Sequence, residues 1–202
     1  LTRKGDPQDD NRARFAPGSV LRMSLSMRVI GLAGWSGAGK TTLLTRLIPE
    51  FARRGIAVST IKHAHHAFDL DTPGKDSWAH REAGAAEVLI SSARRWALLH
   101  ELRDEPEAKL PELLARLSPV DLVIVEGFKR DPHAKLEVFR AANGKPPLHP
   151  EDASIVAVAS DTPFPQADRP VLELDDVPAI ADLLFARAQP LAEVLARARE
   201  EA

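Results

Sequence analysis

The residues best suited to chemistry in this chain are Gly34-Trp35-Ser36-Gly37-Ala38-Gly39-Lys40-Thr41. They satisfy the phosphate-binding pattern G-x-x-x-x-G-K-[ST] at every fixed position. Glycines let such a loop curl so that its N–H groups point inward at phosphate oxygens. The ammonium of Lys40 is expected to reach the β- and γ-phosphates, and the hydroxyl of Thr41 to ligate Mg²⁺. The helix that starts near Lys40 adds the positive end of its dipole, which brings Thr42 to the same anion.

Further candidates lie far from this loop in sequence. Glu126 ends an apolar run, Val120-Asp121-Leu122-Val123-Ile124-Val125, and Gly127 follows. A carboxylate there suits a hard cation through a water, or an attacking water. His63, His65 and His66 cluster near Asp69 and Asp71. Imidazoles and carboxylates so spaced suit Zn²⁺ or Ni²⁺, or a phosphorylated ligand. The chain has no cysteine to support a soft-metal site. Asp71 is the stronger functional acid, a second candidate for the Mg²⁺ shell. Lys75 precedes Asp76-Ser77, either of which suits a helix cap, and marks a second possible anion site.

These residues need elements to position them. Residues 28–33 are short and apolar and read as a buried strand. Residues 40–54 have helical periodicity, with Pro49 inside and Gly55 as terminator. Strands are expected at 56–61, 87–91, 95–99, 120–127, 135–140, 155–159 and 171–174, the pair 87–91 and 95–99 being close enough for a hairpin. Helices are expected at 78–83, 106–117, 177–188 and 191–201, with Pro190 separating the last two. Trp78 and Trp96 are expected in the core. Alternating strands and helices predict an α/β protein, a three-layer P-loop NTPase fold with a mainly parallel sheet plus a β-hairpin. Ligands bind such sheets at the carboxyl ends of the strands. Gly34, Lys62-His63, Glu126 and Ser160-Asp161 each follow an expected strand, so all four should meet along one edge.

Composition bounds the rest. The 202 residues are 44% hydrophobic and 28% charged, ordinary for a globular chain with a sizeable core. A net charge of −2 gives no overall field toward nucleic acid or an anionic membrane. No apolar run approaches the ~20 residues of a membrane span. Residues 1–26 are rich in Arg, Asp, Pro and Gly, without apolar periodicity, and Met23 and Met27 both suit a start. They read as a disordered extension or an expression leftover rather than a signal peptide. Residues 27–202 read as one nucleotide-binding domain with C-terminal helices.

Two blocks are more specific than the loop: Lys62-His63-Ala64-His65-His66 through Asp69-Leu70-Asp71-Thr72-Pro73-Gly74-Lys75-Asp76-Ser77 to Arg81-Glu82-Ala83-Gly84-Ala85, and Asp121-Leu122-Val123-Ile124-Val125-Glu126-Gly127-Phe128-Lys129. Arg95-Trp96-Ala97-Leu98 lies between them and Val156-Ala157-Val158-Ala159-Ser160-Asp161 follows. In this order they resemble the molybdopterin-guanine dinucleotide biosynthesis protein B (MobB) family. The resemblance implies a GTP-binding, weakly hydrolysing adaptor of molybdenum-cofactor maturation, cytoplasmic and homodimeric. It also implies a MobA-type molybdopterin guanylyltransferase as partner, and molybdopterin as a candidate ligand. The guanine-reading pattern N-K-x-D is absent. Ser160 and Asp161 are the candidates for base contact. Two other readings compete: a small-molecule kinase using Asp69 or Asp71 as base, and a metal-delivering GTPase using the histidines.

Overall fold

The structure is a computed structural model that describes residues 27–64, 68–164 and 167–200; the 1–26 extension, His65 and His66 lie outside them. The described chain divides into two compact units, residues 64–109 and the remainder. The stretch from 27 to 202 thus comprises both units.

The larger unit is built on β1, Arg28–Ala33. Around it stand β2 (Val58–Lys62), β5 (Leu122–Glu126), β6 (Lys135–Phe139), β7 (Ile155–Ser160) and β8 (Val171–Glu173). The spatial order is β2-β5-β1-β6-β7-β8, with every pair along it parallel. Strand β6 pairs β1 only from Gly31 onward, and the first two residues of β1 pair instead with an antiparallel strand, β9 (Gln189–Pro190). The expected break at Pro190 is therefore a sheet edge, where a proline's missing N–H is tolerated.

Alternate residues of the central strands feed two cores, as a strand's period of two requires. On one face Ile30, Leu32, Ile124, Leu136 and Ala157 pack on Leu43, Leu47 and Phe51 of α1 (Lys40–Arg53) and Ile180 and Leu184 of α4 (Val177–Arg187). On the other, Val29, Val123 and Val125 pack on Leu110 and Leu114 of α3 (Leu110–Arg116) and Leu191 and Val194 of α5 (Leu191–Glu200). This is the three-layer arrangement expected of an α/β sheet. Helix α1 runs unbroken through Pro49. Helix α3 starts four residues later than the periodicity suggests, with Pro111 in its first turn, where a proline is favoured.

In the smaller unit, β3 (Glu87–Ser91) and β4 (Trp96–His100) form the expected hairpin, and α2 spans Asp76–Glu82. Neither Asp76 nor Ser77 caps α2; the N-cap residue is Lys75, with no side-chain hydrogen bond. Trp96 is 66% exposed, contrary to its expected place in the core. It shares a hairpin face with Leu89 and Leu98, and that face is uncovered.

At the opposite end of β6 from the phosphate loop lies a buried polar group. The Lys135 ammonium is fully buried and donates to Ser154 Oγ at 2.5 Å and to the Asp131 carbonyl. Beside it His133 is 1% exposed, and neither ring nitrogen has a hydrogen-bond partner. Burial, aided by the Lys135 charge, pushes His133 down to about 3. Its unfolded value is ~6.5. Above ~6.5 both states hold a neutral ring; as pH falls from there toward 3 the unfolded chain takes a proton that the folded one refuses, so stability is lost. Between pH 7 and 5 this loss amounts to about 2 kcal/mol. Denaturant unfolding at both pH values should show His133→Leu losing less stability on acidification than the wild type; equal losses would contradict a buried neutral imidazole.

Candidate nucleotide-binding site

The carboxyl ends of β1, β2, β5 and β7 carry the four expected segments. Register places Leu32 and Lys62 both opposite Glu126, and Ser160 opposite Phe139 at the end of β6. After Ala33 the chain leaves β1 through Gly34 at φ 140°, and Gly37 (81°) and Gly39 (94°) also take positive values. These are values that side chains disfavour. At Gly34 space is the second constraint: a β-carbon there would stand 2.5 Å from the Val138 carbonyl oxygen of β6. The loop closes through Ala38 N–H to the Trp35 carbonyl (3.1 Å), and α1 begins with Leu43 N–H on the Gly39 carbonyl (2.8 Å).

Lys40 lies across this loop and donates to the carbonyls of Gly34 and Trp35, both at 3.0 Å. Burial lowers its pKa; Glu126 opposes the shift, and Lys129 and Lys62 add to it. The Thr41 hydroxyl donates to the Glu126 carboxylate, 3.2 Å from Oε1 and 3.4 Å from Oε2. Lys62 Nζ stands 3.8 Å from Glu126 Oε1. Thr41 and Glu126 thus bring a hydroxyl and a buried carboxylate together, hard oxygen donors that fit Mg²⁺. Beside them His63 donates its backbone N–H to the Glu126 carbonyl (2.8 Å), and its ring lies 5.0 Å from that of Phe128. A β-carbon on Gly127 would stand 2.5 Å from the His63 β-carbon, so this corner also needs glycine.

The outer side of the loop is held by the chain after β6, where the sequence suggested no site residue. Asn143 Nδ2 donates to the Ser36 carbonyl at 3.0 Å. Trp35 Nε1 donates to the Pro146 carbonyl at 2.8 Å, and Lys129 Nζ lies 5.3 Å from the Trp35 ring centre. Arg140 packs on Gly39. The one available signal was Asn143-Gly144-Lys145-Pro146, superficially like a base-reading motif; its asparagine serves the phosphate loop instead. Ser160 is buried and donates to the Thr162 carbonyl at 2.6 Å. Asp161 is exposed and accepts from Ala141 N–H at 2.9 Å.

Asp71 and Lys75 belong to the smaller unit. Asp71 Oδ1 accepts from Ser77 Oγ (2.8 Å) and Thr72 N–H (2.9 Å), while its buried Oδ2 has no hydrogen-bond partner. Arg81 binds Asp69 through both terminal nitrogens and holds that carboxyl below its usual range. Lys75 is exposed, and Asp76 in the first turn of α2 already supplies negative charge at that helix end. Among the described residues no three His, Asp or Glu side chains converge as a metal-ligand group.

Residues 29–161 match the family described as MobB, molybdopterin guanine dinucleotide synthesis protein B. The chain belongs to this family. It is 45% identical over 159 residues to the molybdopterin-guanine dinucleotide biosynthesis adapter protein of Escherichia coli, covering 77% of this chain and 90% of that one. The Haemophilus influenzae adapter protein is 40% identical over 168 residues, covering 82% and 92%. Among solved structures, a molybdopterin-guanine biosynthesis protein B matches at TM-score 0.63 and 28% identity, covering 78% of this chain and 97% of that one. Bacillus subtilis MobB matches in fold at TM-score 0.64 and 21% identity, covering 80% and 98%. The MobB match includes the phosphate loop, Glu126 and the strand that ends at Ser160-Asp161.

The geometry of the loop makes Gly34 its least replaceable residue. Gly34→Ala combines a disfavoured φ with a clash against backbone, and is expected to cost about 1–3 kcal/mol of stability. It should also weaken nucleotide binding, since relief of the clash must move the loop from β6. Paired denaturant and nucleotide titrations check this; a variant matching wild type in both would refute the constraint.

Proposed function

We propose that this protein is a GTP-binding adaptor in molybdenum-cofactor biosynthesis, acting beside a MobA-type guanylyltransferase that joins GMP to molybdopterin. The observation that carries the reading is Lys40 of the glycine-rich loop beside the pair that Thr41 makes with Glu126 at the end of β5, within a chain of the MobB family. The loop backbone would cradle the phosphates and Lys40 would leave the Gly34 and Trp35 carbonyls for them. Thr41 and Glu126 would hold Mg²⁺, which neutralises phosphate charge when bound. Lys62 and His63 lie beside Glu126 and would face the same ligand. Asp161 is proposed to contact the base. The absence of cysteine accords with a cytoplasmic setting, and no described helix is long and apolar enough to cross a membrane.

Slow turnover follows from the same residues. Fast hydrolysis needs an oriented water and a cation on the γ-phosphate, where an arginine can contribute 10³–10⁵-fold. Equilibrium binding should show GTP preferred to ATP, binding lost in Lys40→Ala, and Mg²⁺ dependence lost in Thr41→Ala. Turnover by the isolated protein should stay well below the ~1–100 s⁻¹ of kinases. Kinase-like turnover, or phosphate transfer to a small acceptor, would replace the adaptor reading with the kinase.

The homodimer has its own support. A two-stranded hairpin is marginal alone in water. Here one of its faces exposes Leu89 (62%), Trp96 (66%) and Leu98 (43%), and among the described residues no further strand pairs with either edge. A second copy would cover that face with the same apolar residues. Sedimentation should show a dimer for the wild type and a monomer for Leu89→Lys combined with Leu98→Lys; a monomeric wild type would remove the proposal.

A further inference from the structure

We propose that Arg140 is a nucleotide-contacting residue whose guanidinium binds the α- and β-phosphates from the side of the loop opposite Glu126. This rests on the nucleotide-site reading above and deepens it. Arg140 follows directly on β6, the neighbour of β1, and so emerges at the carboxyl edge of the sheet beside the loop. A β-carbon placed on Gly39 would stand 3.1 Å from Arg140 Nε and 3.7 Å from Nη2, so the guanidinium packs directly on the last loop glycine. The peptide group that follows it is held through both its carbonyl and its N–H. The Arg140 carbonyl accepts from Asn143 N–H at 3.1 Å, and the next residue, Ala141, donates to Asp161 at 2.9 Å.

Arg140 is half-buried, yet among the described residues no hydrogen-bond acceptor or carboxylate partners its guanidinium. Elsewhere Arg46, Arg53, Arg54, Arg81 and Arg169 each hold a carboxylate. A guanidinium offers five N–H donors in a planar fork and cannot shed its charge. Fixed beside a loop whose N–H groups face an anion, that fork suits phosphate oxygens. Position assigns the phosphates. Thr41 and Glu126 mark the Mg²⁺ side, Lys40 reaches the β- and γ-phosphates, and the loop backbone beside Gly39 faces the α- and β-phosphates. The competing role is packing: the stem of Arg140 could simply support Gly39.

Arg140→Gln separates the two, because it keeps most of the stem and removes the charge. The test is titration of GTP and of GDP, each with Mg²⁺, into the full-length wild type, Arg140→Gln, Arg140→Ala and Arg140→Lys. We expect Arg140→Gln and Arg140→Ala to weaken GTP and GDP alike, by about 10- to 100-fold. Arg140→Lys should retain more affinity than Arg140→Gln, and the ligand-free melting temperature of Arg140→Gln should match wild type. Wild-type affinity in Arg140→Gln overturns the proposal in favour of packing. So does equal weakening by Lys and Gln, and a loss confined to GTP overturns the assignment to α and β. A wild type that binds neither nucleotide overturns the site reading itself, and the Arg140 proposal with it.

Discussion

Three places at the heart of the sheet have no room for a β-carbon, and the site depends on them. Gly31 lies against His133, where a β-carbon would come 2.5 Å from Nε2. Gly34 meets the Val138 carbonyl and Gly127 meets His63, also at 2.5 Å. Together they let β1 lie close to the chain entering β6, turn sharply at its end, and bring the end of β5 against that of β2. If β1 stood further from β6, the chain after β6 would no longer reach the loop. Asn143 would lose the Ser36 carbonyl and Arg140 would lose Gly39. The fold here is less a scaffold under a loop than a set of close backbone contacts that define where the loop can be.

Charge gives the second constraint. Lys40, Lys62, Lys129 and Arg140 lie around the loop, and Glu126 is the carboxylate set among them. Removing Lys40 from water disfavours its charge, and the neighbouring lysines add to the effect. Gly34 and Trp35 supply two carbonyls, which hold the ammonium but carry only partial charge. A polyanion would offset the repulsion that these carbonyls leave. The Thr41–Glu126 bond has a similar character: it keeps a buried carboxylate satisfied by a hydroxyl that a cation could draw into its own shell.

The legible part of this structure was carried by short-range pattern. The loop, the strand before it and the helix after it are contiguous, so motif and periodicity sufficed to locate Lys40, Thr41 and the β1–α1 turn. Glu126 was legible because its apolar run ends in a carboxylate. The hairpin was legible from two short apolar runs. What escaped depends on distant residues meeting. Arg140 is the last residue of the expected strand 135–140 and Asn143 sits in the connection after it, and only the β1–β6 pairing brings them to the loop. Gln189 and Pro190 read as a helix break because nothing local says that β6 leaves the start of β1 unpaired. Trp96 was assigned to the core by residue type, but alternation along the hairpin puts it with Leu89 and Leu98 on the uncovered face.

The arrangement of acids bears on why such a site would serve an adaptor. Glu126 is committed to Thr41 and Lys62, so its oxygens face the cation side of the loop rather than an approaching acceptor. In the smaller unit, Asp69 is bound by Arg81, which holds it ionised and weakly basic. Asp71 spends one oxygen on Ser77 and Thr72. A kinase acceptor needs a carboxylate free to take its proton at the right distance. Here hydrogen bonds that shape the loop occupy Asp69 on both oxygens and Asp71 on one. The phosphate loop is well furnished with cations and donors, whereas the acids of the smaller unit are engaged in shaping their own loop. That asymmetry favours holding a triphosphate over transferring part of it.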